Sequence, residues 1–146
     1  GWAMAVTGRS HSLAALGIDC EVVLTDQAAG EIADLVLHPR DRKFLSDQLT
    51  IGTLVTLAFS AKESLFKALN TKVLNSKTLL PPSANIKSFH DFTIYSISDH
   101  KIILRPSKRL NDSWATTTEF SIDYVKQSAH IVTMAVIAKS AIHRQK

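Results

Sequence analysis

A long helical pattern, beginning at Thr50 or Gly52 and running to about Val73, constrains this chain more than any other feature. At about 100° per residue, Ile51, Leu54, Val55, Ala58, Leu65, Phe66 and Leu69 form one broad apolar face, and Thr56, Ser60, Glu63, Ser64, Lys67 and Asn70 form the other. Such a helix needs an apolar surface to lie on, and the flanking sequence offers strands. Trp2 to Val6 and Leu13 to Val23 precede it; Phe92 to Ile97, Lys101 to Leu104, Glu119 to Tyr124 and His130 to Ala138 follow. Thr7 to Ser12 reads as a hairpin turn between the first two strands and Ser98-Asp99-His100 as a turn in the later group, with Arg105 to Ser113 as a polar connection. A second helix is expected over Asp26 to Leu37, with Asp26 as N-cap, Ile32, Leu35 and Val36 as its apolar stripe and Pro39 as its stop; a short helix is expected over Asp41 to Leu49. Strands, then helices, then strands predict an α+β fold in which an antiparallel sheet packs against the long helix.

A length of 146 residues suits one globular domain. No apolar run approaches the roughly 20 residues of a membrane helix, so no membrane span is expected. The start, Gly1 to Val6, lacks a basic leader followed by a long apolar stretch, and the single cysteine, Cys20, has no internal disulfide partner. Both point to a cytoplasmic protein. The formal charge of +4 suits an anionic partner, yet neither Lys101 to Arg109 nor His143 to Lys146 forms the dense basic stripe interleaved with aromatics that nucleic-acid binding requires. No nucleic acid partner is expected.

Two acidic features stand out. In Gly17-Ile18-Asp19-Cys20-Glu21-Val22 the two-residue period of a strand places Asp19 and Glu21 on one face, where two like charges call for a cation or a donor; a hard divalent ion such as magnesium favours these oxygen ligands, and a solvated strand face is the other reading. On the long helix, Glu63 and Lys67 lie one turn apart, a spacing that also suits a simple surface ion pair. Lys62 falls within the apolar face, where an ammonium needs an anion beside it or must snorkel to water.

Gly17-Ile18-Asp19-Cys20-Glu21 and, 42 positions later, Phe59-Ser60-Ala61-Lys62-Glu63-Ser64-Leu65-Phe66-Lys67-Ala68 closely resemble the two signatures of the 4'-phosphopantetheinyl transferase superfamily, in the enterobactin-associated siderophore branch related to surfactin-type enzymes. The resemblance covers about Trp2 to Ala68. It implies Asp19, Glu21 and Glu63 as ligands of Mg2+, with coenzyme A as co-substrate. The implied reaction is transfer of 4'-phosphopantetheine to a serine of an acyl or peptidyl carrier protein, with release of adenosine 3',5'-bisphosphate, in siderophore or other nonribosomal peptide biosynthesis. Glu63 would be the general base or chiefly a metal ligand, Lys67 would contact phosphate and assist departure of the bisphosphate, and Lys62 would be a further phosphate contact. Ser10-His11 is not the family's coenzyme A-binding histidine element, because it follows the strand which that element should precede. Residues 1–146 are therefore expected to be the C-terminal, magnesium-binding part of a longer protein. A non-enzymatic metal- or carrier-protein-binding module is the competing reading.

Overall fold

The computed structural model describes residues 5–7, 13–46, 49–70, 86–107 and 117–138. Five strands form one antiparallel sheet: β1 (Leu13–Val22), β2 (Phe92–Ser98), β3 (Lys101–Pro106), β4 (Phe120–Gln127) and β5 (His130–Ala138), in the spatial order β1-β5-β4-β3-β2. Helix α1 (Asp26–Val36), a short 3-10 helix (Pro39–Phe44) and helix α2 (Ile51–Asn70) lie between β1 and β2 in sequence. This is the expected α+β arrangement, including the meander from β2 to β5 and the turn at Asp99-His100. The connection expected between Arg105 and Ser113 lies mostly outside the described residues.

Helix α2 crosses the β1 and β5 side of the sheet, and α1 packs against α2. Pairing of Gly17 with Ala135, Asp19 with Thr133 and Glu21 with Ile131 puts these six residues on the face that α2 covers, since Ala135, Thr133 and Ile131 are buried and the Thr133 hydroxyl donates to the Ser60 carbonyl at 2.8 Å. Leu16, Ile18, Cys20 and Val22 therefore face away. Leu54, Leu57, Leu65, Ile102, Leu104, Ile122 and Ile131 form the centre of the core, each at most 1% exposed.

Several expectations require correction. The N-cap of α1 is Thr25, whose hydroxyl accepts from the Ala28 N–H at 3.2 Å; Asp26 instead accepts from the Gly52 N–H at 2.8 Å and so caps the start of α2 from across the fold. The buried residues of α1 include Ala29, Ala33 and Val36, whereas Leu35 is 69% exposed, because two small side chains one turn apart let α1 approach α2 closely. The short helix spans Pro39–Phe44 and is 3-10, set by Pro39 and a capping box between His38 and Asp41. Finally, α2 is buried around most of its girth: Thr56, Ser60 and Ser64 of the expected polar face are buried, and Phe66 of the apolar face is 43% exposed.

The buried hydroxyls of α2 are satisfied locally or by the sheet. Thr56 Oγ1 donates to the Gly52 carbonyl at 2.7 Å and accepts from the Leu24 N–H at 3.0 Å; Ser64 Oγ donates to the Ala61 carbonyl at 3.0 Å; Ser60 Oγ and Thr133 Oγ1 are 2.9 Å apart. Of the expected first strand, Trp2 to Met4 lie outside the described residues and Ala5 and Val6 carry no regular structure; β1 pairs with β5 instead, and Gly8 to Ser12 of the expected hairpin also lie outside. Helix α2 is described to Asn70, and the expected extension to Val73 falls outside.

Candidate active site

The acidic site forms where β1 passes under the C-terminal half of α2. Gly17 permits the contact: a methyl group there would fall on the Ser64 carbonyl oxygen and 2.6 Å from the Ala68 nitrogen, so only a residue without a side chain allows this approach. Two residues further along the same face, Asp19 is 8% exposed, and its Oδ1 accepts from the Lys67 ammonium at 2.6 Å. Lys67 also reaches the Ile18 carbonyl at 3.4 Å and remains 48% exposed. The second carboxylate oxygen of Asp19, Oδ2, is buried without a hydrogen-bond partner.

Glu21 belongs to the same electrostatic cluster. Its carboxyl is pushed above the ordinary value of 4.5, first by desolvation and then by the Asp19 charge; Lys67 opposes the shift and Glu63 adds to it. Glu21 thus feels Asp19, Glu63 and Lys67, and Lys67 pairs with Asp19, as their placement on one strand face and one helix predicts. Among the described residues, no three His, Cys, Asp or Glu side chains already converge as a metal ligand set. Lys67 holds one oxygen of Asp19, while the other oxygen is unpaired. Hard carboxylate oxygens, one of them buried and unpartnered, beside a repelled Glu21 are donors that fit a divalent cation.

The raised carboxyl of Glu21 has a consequence for stability. The folded chain keeps its proton to higher pH than the unfolded chain, so this residue favours folding fully below about pH 4.5 and progressively less as the pH rises through the folded-state value. Glu21→Gln removes that loss. The stability difference between the variant and the parent, from urea unfolding at a series of pH values, is expected to shift in the variant's favour from about pH 4.5 upward. A difference that stays flat across this range contradicts the clustering.

Glu63 is half-buried on α2 and borders a cleft of about 230 Å³ with Lys62, Phe66, Phe89 and Phe92. The anion required by Lys62 is Asp41. The Lys62 ammonium, 2% exposed, lies 3.3 Å from Asp41 Oδ2 and donates to the Val36 carbonyl at 2.8 Å. Desolvation lowers the Lys62 pKa below 10.5, and Asp41 partly restores it. Lys62 and Glu63, adjacent in sequence and both on the cleft wall, therefore do different work: the ammonium of Lys62 ties α2 to Asp41 and the Val36 carbonyl, whereas the half-buried Glu63 belongs to the acidic cluster around Glu21. Sequence reasoning missed Asp41, although a lysine on an apolar helix face was itself a signal to look for a carboxylate.

A profile of the 4'-phosphopantetheinyl transferase superfamily matches residues 15–135. Among characterised relatives, enterobactin synthase component D of Escherichia coli strain K12 is 42% identical over 67 residues, covering 45% of this chain and 31% of the relative. Its counterpart in Salmonella typhimurium strain LT2 is 38% identical over 72 residues, covering 49% of this chain and 29% of the relative. These alignments thus span less than a third of the relatives' length. Two solved structures share the fold: the holo-ACP-synthase from Plasmodium yoelii, at a TM-score of 0.55 and 14% identity over 86% of this chain and 94% of that one, and the ACPS–CoA complex of Chronobacterium ammoniagenes, at 0.54 and 12% over 83% and 93%. With both signatures inside the matched span and the sheet and helices in the same arrangement, this chain belongs to the 4'-phosphopantetheinyl transferase superfamily.

Proposed function

We propose that this chain carries the metal-binding part of an enzyme that transfers 4'-phosphopantetheine from coenzyme A to a serine of an acyl or peptidyl carrier protein, releasing adenosine 3',5'-bisphosphate. The observation that carries this reading is the cluster of Asp19, Glu21, Glu63 and Lys67, with one oxygen of Asp19 buried and unpaired. Asp19, Glu21 and Glu63 would hold Mg2+, which when bound neutralises the pyrophosphate of coenzyme A and stabilises charge on the leaving group. Lys67, half-exposed and paired with Asp19, is the cation positioned to exchange that carboxylate for a phosphate oxygen and to assist departure of the bisphosphate. Glu63 accepts the proton of the incoming serine hydroxyl, directly or through water. Lys62 is held by Asp41 and the Val36 carbonyl, so the phosphate contact is assigned to Lys67, and Lys62 supports the helix that presents Glu63.

The similarity to enterobactin synthase component D supports a place in siderophore or other nonribosomal peptide biosynthesis. No helix among the described residues is long and apolar enough to cross a membrane. Cys20 is a free thiol, which suits the reducing cytoplasm proposed as the site of action.

Mass spectrometry of an apo carrier protein incubated with this chain, coenzyme A and magnesium tests the reaction. The expected result is the addition of one phosphopantetheine to the carrier and its loss when the metal is chelated. Glu63→Gln is expected to lower the rate by at least about 100-fold, because the variant loses a charged ligand and a base together. Turnover at the parental rate in that variant would sink the assignment. Binding of carrier or metal without transfer by the parent chain would favour a non-enzymatic module.

A further inference from the structure

We propose that a second pocket, beside the opposite edge strand of the sheet from the acidic strand β1, binds a phosphate-bearing small molecule of about nucleotide size. The pocket lies between the 3-10 segment and strands β2 and β3, and its volume of about 560 Å³ falls within the roughly 300–1,000 Å³ typical of small-molecule sites. None of its lining residues belongs to the acidic cluster, so it stands independently of the proposed transferase reaction.

Its chemistry is that of an anion site. Arg40, Lys43 and Arg105 bring three cations to its walls, and among the described residues neither Arg40 nor Lys43 has a carboxylate partner. Arg105 pairs with Glu119 and lies over the ring of Tyr95, 3.3 Å from its centroid, which fixes both planar groups in place. Tyr95 is 49% exposed, so this stacked pair remains available to a flat ring of a ligand. Guanidinium groups match the several oxygens of a phosphate, and the hydroxyls of Thr93 and Ser107 add neutral donors.

The walls are preorganised rather than merely adjacent. Asp41, completely buried, accepts from the His38 N–H at 3.0 Å through one carboxylate oxygen and from the Ile94 N–H at 2.8 Å through the other, which fixes the 3-10 segment against β2. His38 Nδ1 accepts from the Arg40 N–H at 3.2 Å, so the neutral imidazole keeps its hydrogen on Nε2 as a further donor. Desolvation holds the pKa of His38 below 6.5, which keeps the ring neutral at pH 7.

The test is amide NMR on the 15N-labelled chain without divalent cations, titrated separately with inorganic phosphate and with adenosine 5'-monophosphate. Saturable shifts are expected at Arg40, Thr93 to Tyr95, Arg105 and Ser107, with tighter binding of the nucleotide. Arg40→Glu combined with Lys43→Glu changes only exposed side chains, so the spectrum should stay dispersed while both ligands bind about tenfold more weakly or worse. Lys67→Ala is expected to leave affinity at this pocket unchanged. Shifts centred on Ile18 to Glu21 and lost in Lys67→Ala, unaltered binding in the double variant, or the absence of saturable shifts would each overturn the proposal. Equal affinity for phosphate and nucleotide would overturn its nucleotide part.

Discussion

Gly17→Ala is expected to destabilise the fold by at least about 3 kcal/mol, at or beyond the upper end of ordinary overpacking. The new methyl group would meet the carbonyl of Ser64 and the nitrogen of Ala68, which are backbone atoms of α2 and cannot rotate aside as a side-chain tip can. Relief therefore requires α2 to lift off β1, and that movement opens the packing of Ala61, Leu65 and Ala68, all completely buried, and separates Lys67 from Asp19. The measurement is the urea midpoint of the variant beside that of Gly30→Ala. Gly30 sits on the exposed side of α1 with nothing within 4 Å of an added methyl, so its replacement is expected to stabilise the chain by up to about 1 kcal/mol. If Gly17→Ala costs less than about 1 kcal/mol, β1 and α2 are not in the contact described.

This contact also explains which parts of the fold were legible in the sequence. The alternation of Ile18, Cys20 and Val22 with Asp19 and Glu21 is a local property of a strand, and it places both carboxylates on the side that faces α2. The one-turn spacing of Glu63 and Lys67 is equally local. What local periodicity does not carry is the number of layers above a helix. Thr56, Ser60 and Ser64 read as a polar face, yet α1 and the sheet enclose that side, and their hydroxyls are satisfied by the Gly52 carbonyl, Thr133 and the Ala61 carbonyl.

Other misreadings have the same origin. Asp26 is a sound N-cap by residue type, but Thr25 takes the cap, and the Asp26 carboxylate serves Gly52, 26 positions away. Leu35 looked like part of an apolar stripe; close packing on α2 selects Ala29 and Ala33 and leaves the leucine outside. The basic pocket combines the His38 to Lys43 segment with β2 and β3, although Asp41 and Ile94, which join them, are 53 positions apart in sequence, and no pattern within either stretch links them. Long-range pairing is the information that a single sequence expresses least directly.

Asp41 provides the second large expected effect. Its carboxylate is completely buried and serves three donors: the His38 N–H, the Ile94 N–H and the Lys62 ammonium. Asp41→Ala strands a buried ammonium and two backbone N–H groups together, and a loss of about 3–5 kcal/mol is expected, the cost of breaking a buried ion pair from one side. Lys62→Met should cost less, because methionine fills much of the same volume and the Asp41 carboxylate retains two backbone donors. When both changes are combined, the uncompensated ammonium is gone. The double variant should therefore be more stable than the sum of the single losses predicts, with a coupling of about 1 kcal/mol or more. Urea unfolding of the four proteins closes this cycle. Strict additivity would mean that Lys62 reaches water in solution, and the anion beside it would then have no part in holding α2, and with it Glu63, against the rest of the fold.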